Sequence, residues 1–353
     1  MNEQQQDKVP SIFNSKRIAL AILIGLAAIG YMFYTEMSEN GLSIASLMSN
    51  IVKASPFWLL MAFVVLLIRD GGYMFRIRHL TLKKLNWKSS FYVILLWEFA
   101  SALTPSVVGG AAIVVFILSK EGIPFGKSLA YVMLTTILDN LFFVLAGLLV
   151  LLHAGNDIFP HTEYVSSAFL RNSFYLSYVL IAMYVLLMAM GLFISPRGFK
   201  MILMKVTSWK LLRRWRKAAN EQGSQMLMAS EELKNANFFY WLKAGVSTLF
   251  IWTARYFMLN CLVAAFADQE MSFADHQAAF SKQVIMWIAQ LVSPTPGAAG
   301  VAESLFKVFF KDVLTGSGMV LFVAFLWRAI THIAYLALGA FFLPKWIKRV
   351  FKG

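Results

Sequence analysis

The chain has little that would support chemistry of its own. One cysteine, Cys261, stands among 353 residues, which excludes an intramolecular disulfide. The five histidines (His79, His153, His161, His276 and His332) are scattered without H-E-x-x-H or Cys/His spacing, so neither a metal nor another cofactor is expected. The stretch EGIPFGKS (121–128) looks like a phosphate loop. However, Gly122 and Gly126 are one residue too close together, and the stretch opens an apolar run instead of following a strand. No ATPase motif and no serine–histidine–acid pattern is legible. Charge is also scarce: 14% of residues are charged and 59% hydrophobic, which excludes a soluble fold.

What is present is long apolar sequence. Crossing a bilayer takes about 20 residues, and six runs approach or exceed that length: Ile18–Tyr34, Ile51–Ile68, Lys127–Leu152, Phe174–Ile194, Phe238–Phe266 and Gly318–Leu343. Lys16 and Arg17 before the first run resemble a signal peptide, but no small-residue cleavage site follows, so the run is read as a retained anchor. The expectation is a single all-helical transmembrane domain over 1–353.

The net charge of +14 would suggest nucleic acid in a soluble protein, but its placement gives another reading. Basic residues gather in alternate connections (Lys8 to Arg17, Arg69 to Lys88, Arg197 to Lys234, Lys345 to Lys352). Glu36, Glu39, Asp157, Glu163, Asp268, Glu270 and Asp275 occupy the opposite ones. This is the positive-inside pattern. It places both termini in the cytoplasm, in a plasma membrane of the bacterial inner type, with no nucleic-acid partner. The connection 195–237 is the longest, and Trp209, Leu212 and Trp215 among Arg213, Arg214, Arg216 and Lys217 suit a helix on an anionic leaflet.

Two further apolar regions, about 89–119 and 276–311, are each broken in the middle, by TPSVVGGAA (104–112) and SPTPGAAGVAES (293–304). Counted as full crossings they would put basic connections on opposite sides. Counted as re-entrant hairpins they keep the charge pattern. Pro105 to Gly109 and Pro296 to Gly300 share Pro-x-x-x-Gly, with Gly297 inside the second. Gly126 and Gly147 recur as Gly318 and Gly339. Two units of span, hairpin, span (about 51–152 and 238–343) of opposite orientation follow, an inverted repeat of the kind secondary transporters use. Irregular backbone at that depth must face protein or a wet cavity.

These motifs resemble the lysylphosphatidylglycerol synthase transmembrane-domain family of flippase-like proteins. PTPGAAGVAES is similar to its P-G-G-x-G-x-x-E signature, and TPSVVGGAA followed by FILSKEGI to its T-P-S-x-x-G-G-E-P signature. The resemblance implies movement of a polar or aminoacylated phospholipid, or a lipid-linked intermediate, between leaflets. Ala111 stands where that signature has an acid, and no aminoacyl-transfer domain is expected. Membrane phospholipids are the implied partners; a second copy of the chain and a lipid-synthesising enzyme stay open.

Charge inside a span is costly, about 2.5–3.5 kcal/mol per group on insertion scales. Glu303, just after the Pro296–Gly300 break, can cap a half-helix or meet a headgroup. Arg328 shares a helical face with Thr331, His332 and Tyr335, and Arg255 lies near Trp252 and Asn260; each guanidinium suits phosphate. Asp139, beside Asn140, can pair with either arginine, and Glu303 with Arg328 would suit an amine-bearing phospholipid. Glu98 and Lys243 are expected to snorkel from span ends. The substrate set is therefore Glu303, Arg328, Arg255, Asp139, Pro105, Gly109, Pro296, Gly297 and Gly300. A membrane-embedded enzyme acting on lipid-linked intermediates, or a scaffold subunit of a lipid-modifying complex, are the rival readings.

Overall fold

The computed structural model describes residue 34 and residues 44–52, 54–104, 106–160, 167–209, 213, 216–290, 298, 300–315 and 318–351. Its elements are helical: α1 (Ile44–Val52), α2 (Pro56–Leu80), α3 (Trp87–Leu103), α4 (Ser106–Lys120), α5 (Phe125–Ala154), α6 (Ser167–Ala189), α7 (Pro196–Val206), α8 (Arg216–Lys234), α9 (Phe238–Phe266), α10 (Phe273–Gln290), α11 (Val301–Phe310), α12 (Met319–Arg328) and α13 (Ala334–Phe351). A π-helical turn extends α6 through Met190–Ile194, and another, Ala329–Ile333, joins α12 to α13.

Among the described residues, five helical segments are long and apolar enough to cross a membrane: Pro56–Leu80, Phe125–Ala154, Ala168–Ile194, Phe238–Phe266 and Met319–Phe351. They coincide with five of the six expected spans; the first, Ile18–Tyr34, lies outside the described residues except for Tyr34. One boundary needs correction. The second span does not end at Ile68, because α2 runs on to Leu80 with Arg69 and Arg76 fully buried in its packing. Charge had marked Arg69 as the start of a loop. The helix continues because each arginine meets an acid inside the bundle.

Both broken regions fold as helical hairpins, α3 against α4 and α10 against α11. At about 1.5 Å per residue the first hairpin's arms of 17 and 15 residues are near 26 and 22 Å, short of the roughly 30 Å hydrocarbon core. Asn86 starts the first hairpin by accepting the Ser89 N–H at 2.7 Å, a side-chain cap. At the second break Ala298 and Gly300 have positive φ, 56° and 83°; a left-handed residue is what turns the chain into α11. Pro105, Pro296 and Gly297 lie outside the described residues, and Gly109 falls within α4.

Packing is paired element for element. The most extensive contact joins α2 to α9, the first span of each unit. The contacts α2–α3, α3–α4 and α4–α5 have counterparts in α9–α10, α10–α11 and α11–α12. Across the units, α5 packs on α10 as α13 packs on α3. A glycine sits at each crossing. A Cβ on Gly147 would lie 3.0 Å from Ile288 of α10, and one on Gly339 only 2.2 Å from the Phe99 ring of α3. Two apolar cores result, one around the first hairpin (Leu96, Phe99, Ile117, Tyr131) and one around the second (Ile288, Phe306, Phe310, Val323).

The 195–237 connection is largely helical, and its second half does not lie free on a surface. α8 docks on α5, burying Met226, Ala229 and Leu233. Glu232 meets Lys127 of α5 and Lys84, the latter at 3.3 Å. Burial alone would raise the Glu232 pKa, but the hydrogen bond from Lys127 and the charges of both lysines outweigh it and hold the carboxyl below its usual value. Trp209 and Arg213 are exposed; 210–212, 214 and 215 are outside the described residues.

Two outcomes check this architecture. Gly339→Ala should destabilise the protein by about 1–3 kcal/mol through overpacking against Phe99. Gly71→Ala, where nothing lies within 4 Å, should be neutral or stabilising in thermal unfolding. Single cysteines at Lys88 and Glu270, in a Cys261→Ser background, should react with an impermeant maleimide from opposite sides of the membrane. Reaction of both from one side would contradict hairpins entering from opposite faces.

Candidate functional site

The two hairpin breaks meet at one cavity of about 270 Å³. Ser101, Thr104 and Ala111 reach it from the first hairpin, and Gln290 and Ala298 from the second. Its walls come from α2 (Tyr73, Arg76), α3 (Trp97, Glu98), α5 (Thr136, Asp139), α9 (Trp252, Arg255) and the end of α12 (Trp327, Arg328). Three arginines, two carboxylates and, with Trp287, four tryptophans therefore surround a space deep in a strongly apolar bundle. Of the sequence-derived site residues, Arg255, Arg328 and Asp139 line it directly, and Glu303 stands behind Arg328.

Glu303 and Arg328 come together as expected. Arg328 Nε donates to Glu303 Oε1 at 2.8 Å, with side chains 9% and 4% exposed. Glu303 Oε2 accepts the Gly300 N–H at 2.7 Å, half of a capping box that fixes the start of α11. The carboxylate therefore caps the half-helix and neutralises the arginine at once. Each of its oxygens is thereby engaged within the protein.

Asp139 corrects the sequence reading. It pairs with Arg76, not with Arg255 or Arg328. Arg76 Nη2 donates to Oδ2 at 3.1 Å, and Nη1 donates to Oδ1 and, at 3.2 Å, to the Thr248 hydroxyl. The Trp252 indole N–H adds a bond to Oδ1 at 2.7 Å. This two-pronged geometry is the strongest form of the pair and ties α2, α5 and α9 together. Charge pattern alone places Arg76 in a basic loop and gives no signal of this pairing.

Glu98 is the second correction. It does not snorkel to a span end; it faces the cavity and accepts from Arg255 Nη1 through Oε1 at 3.2 Å. The same Nη1 donates to the Tyr73 hydroxyl at 3.2 Å. The Arg255 guanidinium lies over Trp252, 5.3 Å from the ring centroid. Asn260 turns away, donating to the His276 carbonyl and accepting from Gln283. Lys243 is exposed near the start of α9, outside the cavity.

The face expected to carry Arg328, Thr331, His332 and Tyr335 is split by the π-turn, which adds a residue to the helical register. Arg328, Thr331 and His332 reach the cavity. Tyr335 instead accepts from Arg69 and donates to Asp70. Arg69 also donates to the adjacent Asp70 carboxylate, closing a three-member cluster between α2 and α13.

Breaking one member of a buried pair strands the other charge, at about 3–5 kcal/mol. Arg76→Leu and Asp139→Leu should each destabilise the detergent-solubilised protein on that scale, read as a lowered Tm, and the double variant should recover most of the loss. Glu303→Gln and Arg328→Gln should behave alike. Wild-type Tm in the single variants would show that these pairs contribute nothing to the fold.

The sequence compares with known proteins over nearly its whole length. A protein described as UPF0104 membrane protein from Archaeoglobus fulgidus is 24% identical over 341 residues, 91% of this chain and 94% of that protein. The family profile described as Lysylphosphatidylglycerol synthase TM region matches residues 18–339, which include both hairpins and every residue of the cavity. An integral membrane protein with this helical architecture, the chain belongs to the lysylphosphatidylglycerol synthase transmembrane-region family.

Proposed function

We propose that the protein moves a polar lipid between the leaflets of the plasma membrane, with its headgroup passing through the central cavity and its acyl chains remaining in the bilayer. The observation that carries this reading is the cavity itself: the breaks of both hairpins face one charged, aromatic-lined space. Irregular backbone and ionised groups at membrane depth are costly unless they line a wet cavity. Sites where two broken helices meet are how secondary transporters hold a polar substrate midway across. Guanidinium groups on the wall suit a phosphate, and tryptophan faces suit the apolar part of a headgroup or a cation.

In this reading the two units have opposite orientations, both termini are cytoplasmic, and transport draws on a lipid or ion gradient instead of ATP. The paired packing of α5 on α10 and α13 on α3 supports such a scheme, because each unit's last span braces the other unit's hairpin. Lipids are the partners, and the protein acts as a carrier and not as an enzyme.

Reconstitution tests this. Proteoliposomes with a headgroup-labelled phospholipid should lose inner-leaflet label to an external quencher faster than protein-free vesicles, without ATP. Ala111→Trp, which fills the cavity without stranding a charge, should abolish that gain while leaving Tm within a few degrees of wild type. Equal rates with and without protein, or full activity in Ala111→Trp, would refute the reading.

A further inference from the structure

Asp70, Glu98, Asp139 and Glu303, which lie within the described helices around the cavity, are not equivalent. Both oxygens of Asp139 accept hydrogen bonds, from Arg76 and Trp252. So do both of Glu303, from Arg328 and the Gly300 N–H. Asp70 is likewise filled, by Arg69 and Tyr335. Of these four, only Glu98 has a single oxygen engaged, Oε1, by one bond at 3.2 Å.

Its partner is correspondingly open. Arg255 uses only Nη1 toward Glu98 and Tyr73, whereas Arg76 commits both terminal nitrogens to Asp139. The Arg255 and Glu98 side chains are 25% and 16% exposed, against 9% and 4% for Arg328 and Glu303. Both line the cavity, with Trp97 and Trp252 beside them. Gln290, on the second hairpin, adds a buried amide oxygen without a partner on the same cavity.

We propose that Glu98 and Arg255 are the headgroup-binding pair of the cavity, accepting the ammonium and donating to the phosphate of a zwitterionic phospholipid. This deepens the translocation reading and rests on it for the lipid's route to the site. A guanidinium with a free edge can take a phosphate oxygen while keeping its bond to Glu98. A carboxylate with a free oxygen can take an ammonium N–H, and a buried unpaired acceptor such as the Gln290 oxygen favours a ligand that brings a donor. Tryptophan faces add attraction for the cation. The closed pairs, Arg76–Asp139 and Arg328–Glu303, then serve as the fixed frame. In this assignment Glu303, bonded to Gly300 and Arg328, belongs to that frame, and Glu98 meets the amine.

The test uses the full chain in phosphatidylcholine nanodiscs holding equal phosphatidylethanolamine and phosphatidylglycerol, with retained lipid quantified by native mass spectrometry. The wild type should retain the ethanolamine lipid preferentially. Glu98→Gln should reduce that preference about tenfold, the scale of one charge-assisted hydrogen bond. Should Glu98→Gln not fold, Arg255→Lys, which keeps the charge balance, carries the test: it should lower retention of both lipids together. An unchanged ratio in Glu98→Gln, unchanged retention in Arg255→Lys, or a wild-type preference for the glycerol lipid would overturn the assignment. Retention of free phosphoethanolamine as tight as that of the lipid would overturn a lipid as occupant. A wild type that selects the ethanolamine lipid but moves none in proteoliposomes would remove translocation and leave the site. One that moves lipids without discrimination would remove the site and leave translocation.

Discussion

An ionised side chain at membrane depth has to be answered by a group of opposite sign, and that requirement organises this bundle. Arg69, Arg76, Arg255 and Arg328 each meet an acid. Three of the four couples cross between helices: α2 with α5 and α9 with α3, which are distant in sequence, and α12 with the preceding α11. Each bond therefore fixes a helix in register as well as neutralising a charge. Such pairs add little net stability over apolar packing, but they penalise any arrangement that separates them.

Close backbone approach supplies the second constraint. Without Cβ atoms at Gly147 and Gly339, the last span of each unit can press against the first arm of the other unit's hairpin. The two apolar cores form on either side of this interlock, and the cavity is the space left where the hairpin breaks face one another. Its polarity is thus a product of the packing: the groups that hold the helices in register are also those that line the space.

The graded commitment of those groups links stability to function. Both oxygens of Asp139 and of Glu303 are engaged, so these acids hold the helix geometry around the cavity. The Glu98–Arg255 pair is held by one longer bond and is more exposed. A cavity with rigid and adaptable ion pairs side by side can bind a polar group without losing its frame.

Much of this was legible in the sequence. Five of the spans follow from apolar length alone, because about 20 residues must satisfy their backbone internally to cross lipid. Both hairpins follow from Pro and Gly within apolar runs, and the family from PTPGAAGVAES and TPSVVGGAA. The importance of Arg255, Arg328, Asp139 and Glu303 follows from the cost of charge at depth. Pairing was not legible. Arg76 and Arg69 resembled the start of a basic loop, since a linear scan cannot see the acid that lets a helix carry an arginine onward. Asp139 had three guanidinium groups to choose from, and only the juxtaposition of α2, α5 and α9 selected Arg76. The π-turn at Ala329–Ile333, invisible to a period of 3.6, separated Tyr335 from Arg328. Glu98 became a cavity residue only because α3 folds back in a hairpin against α2 and α9. Length and hydropathy are local properties that a sequence states directly, whereas the partner of a charge is a distance between helices, which tertiary packing alone decides.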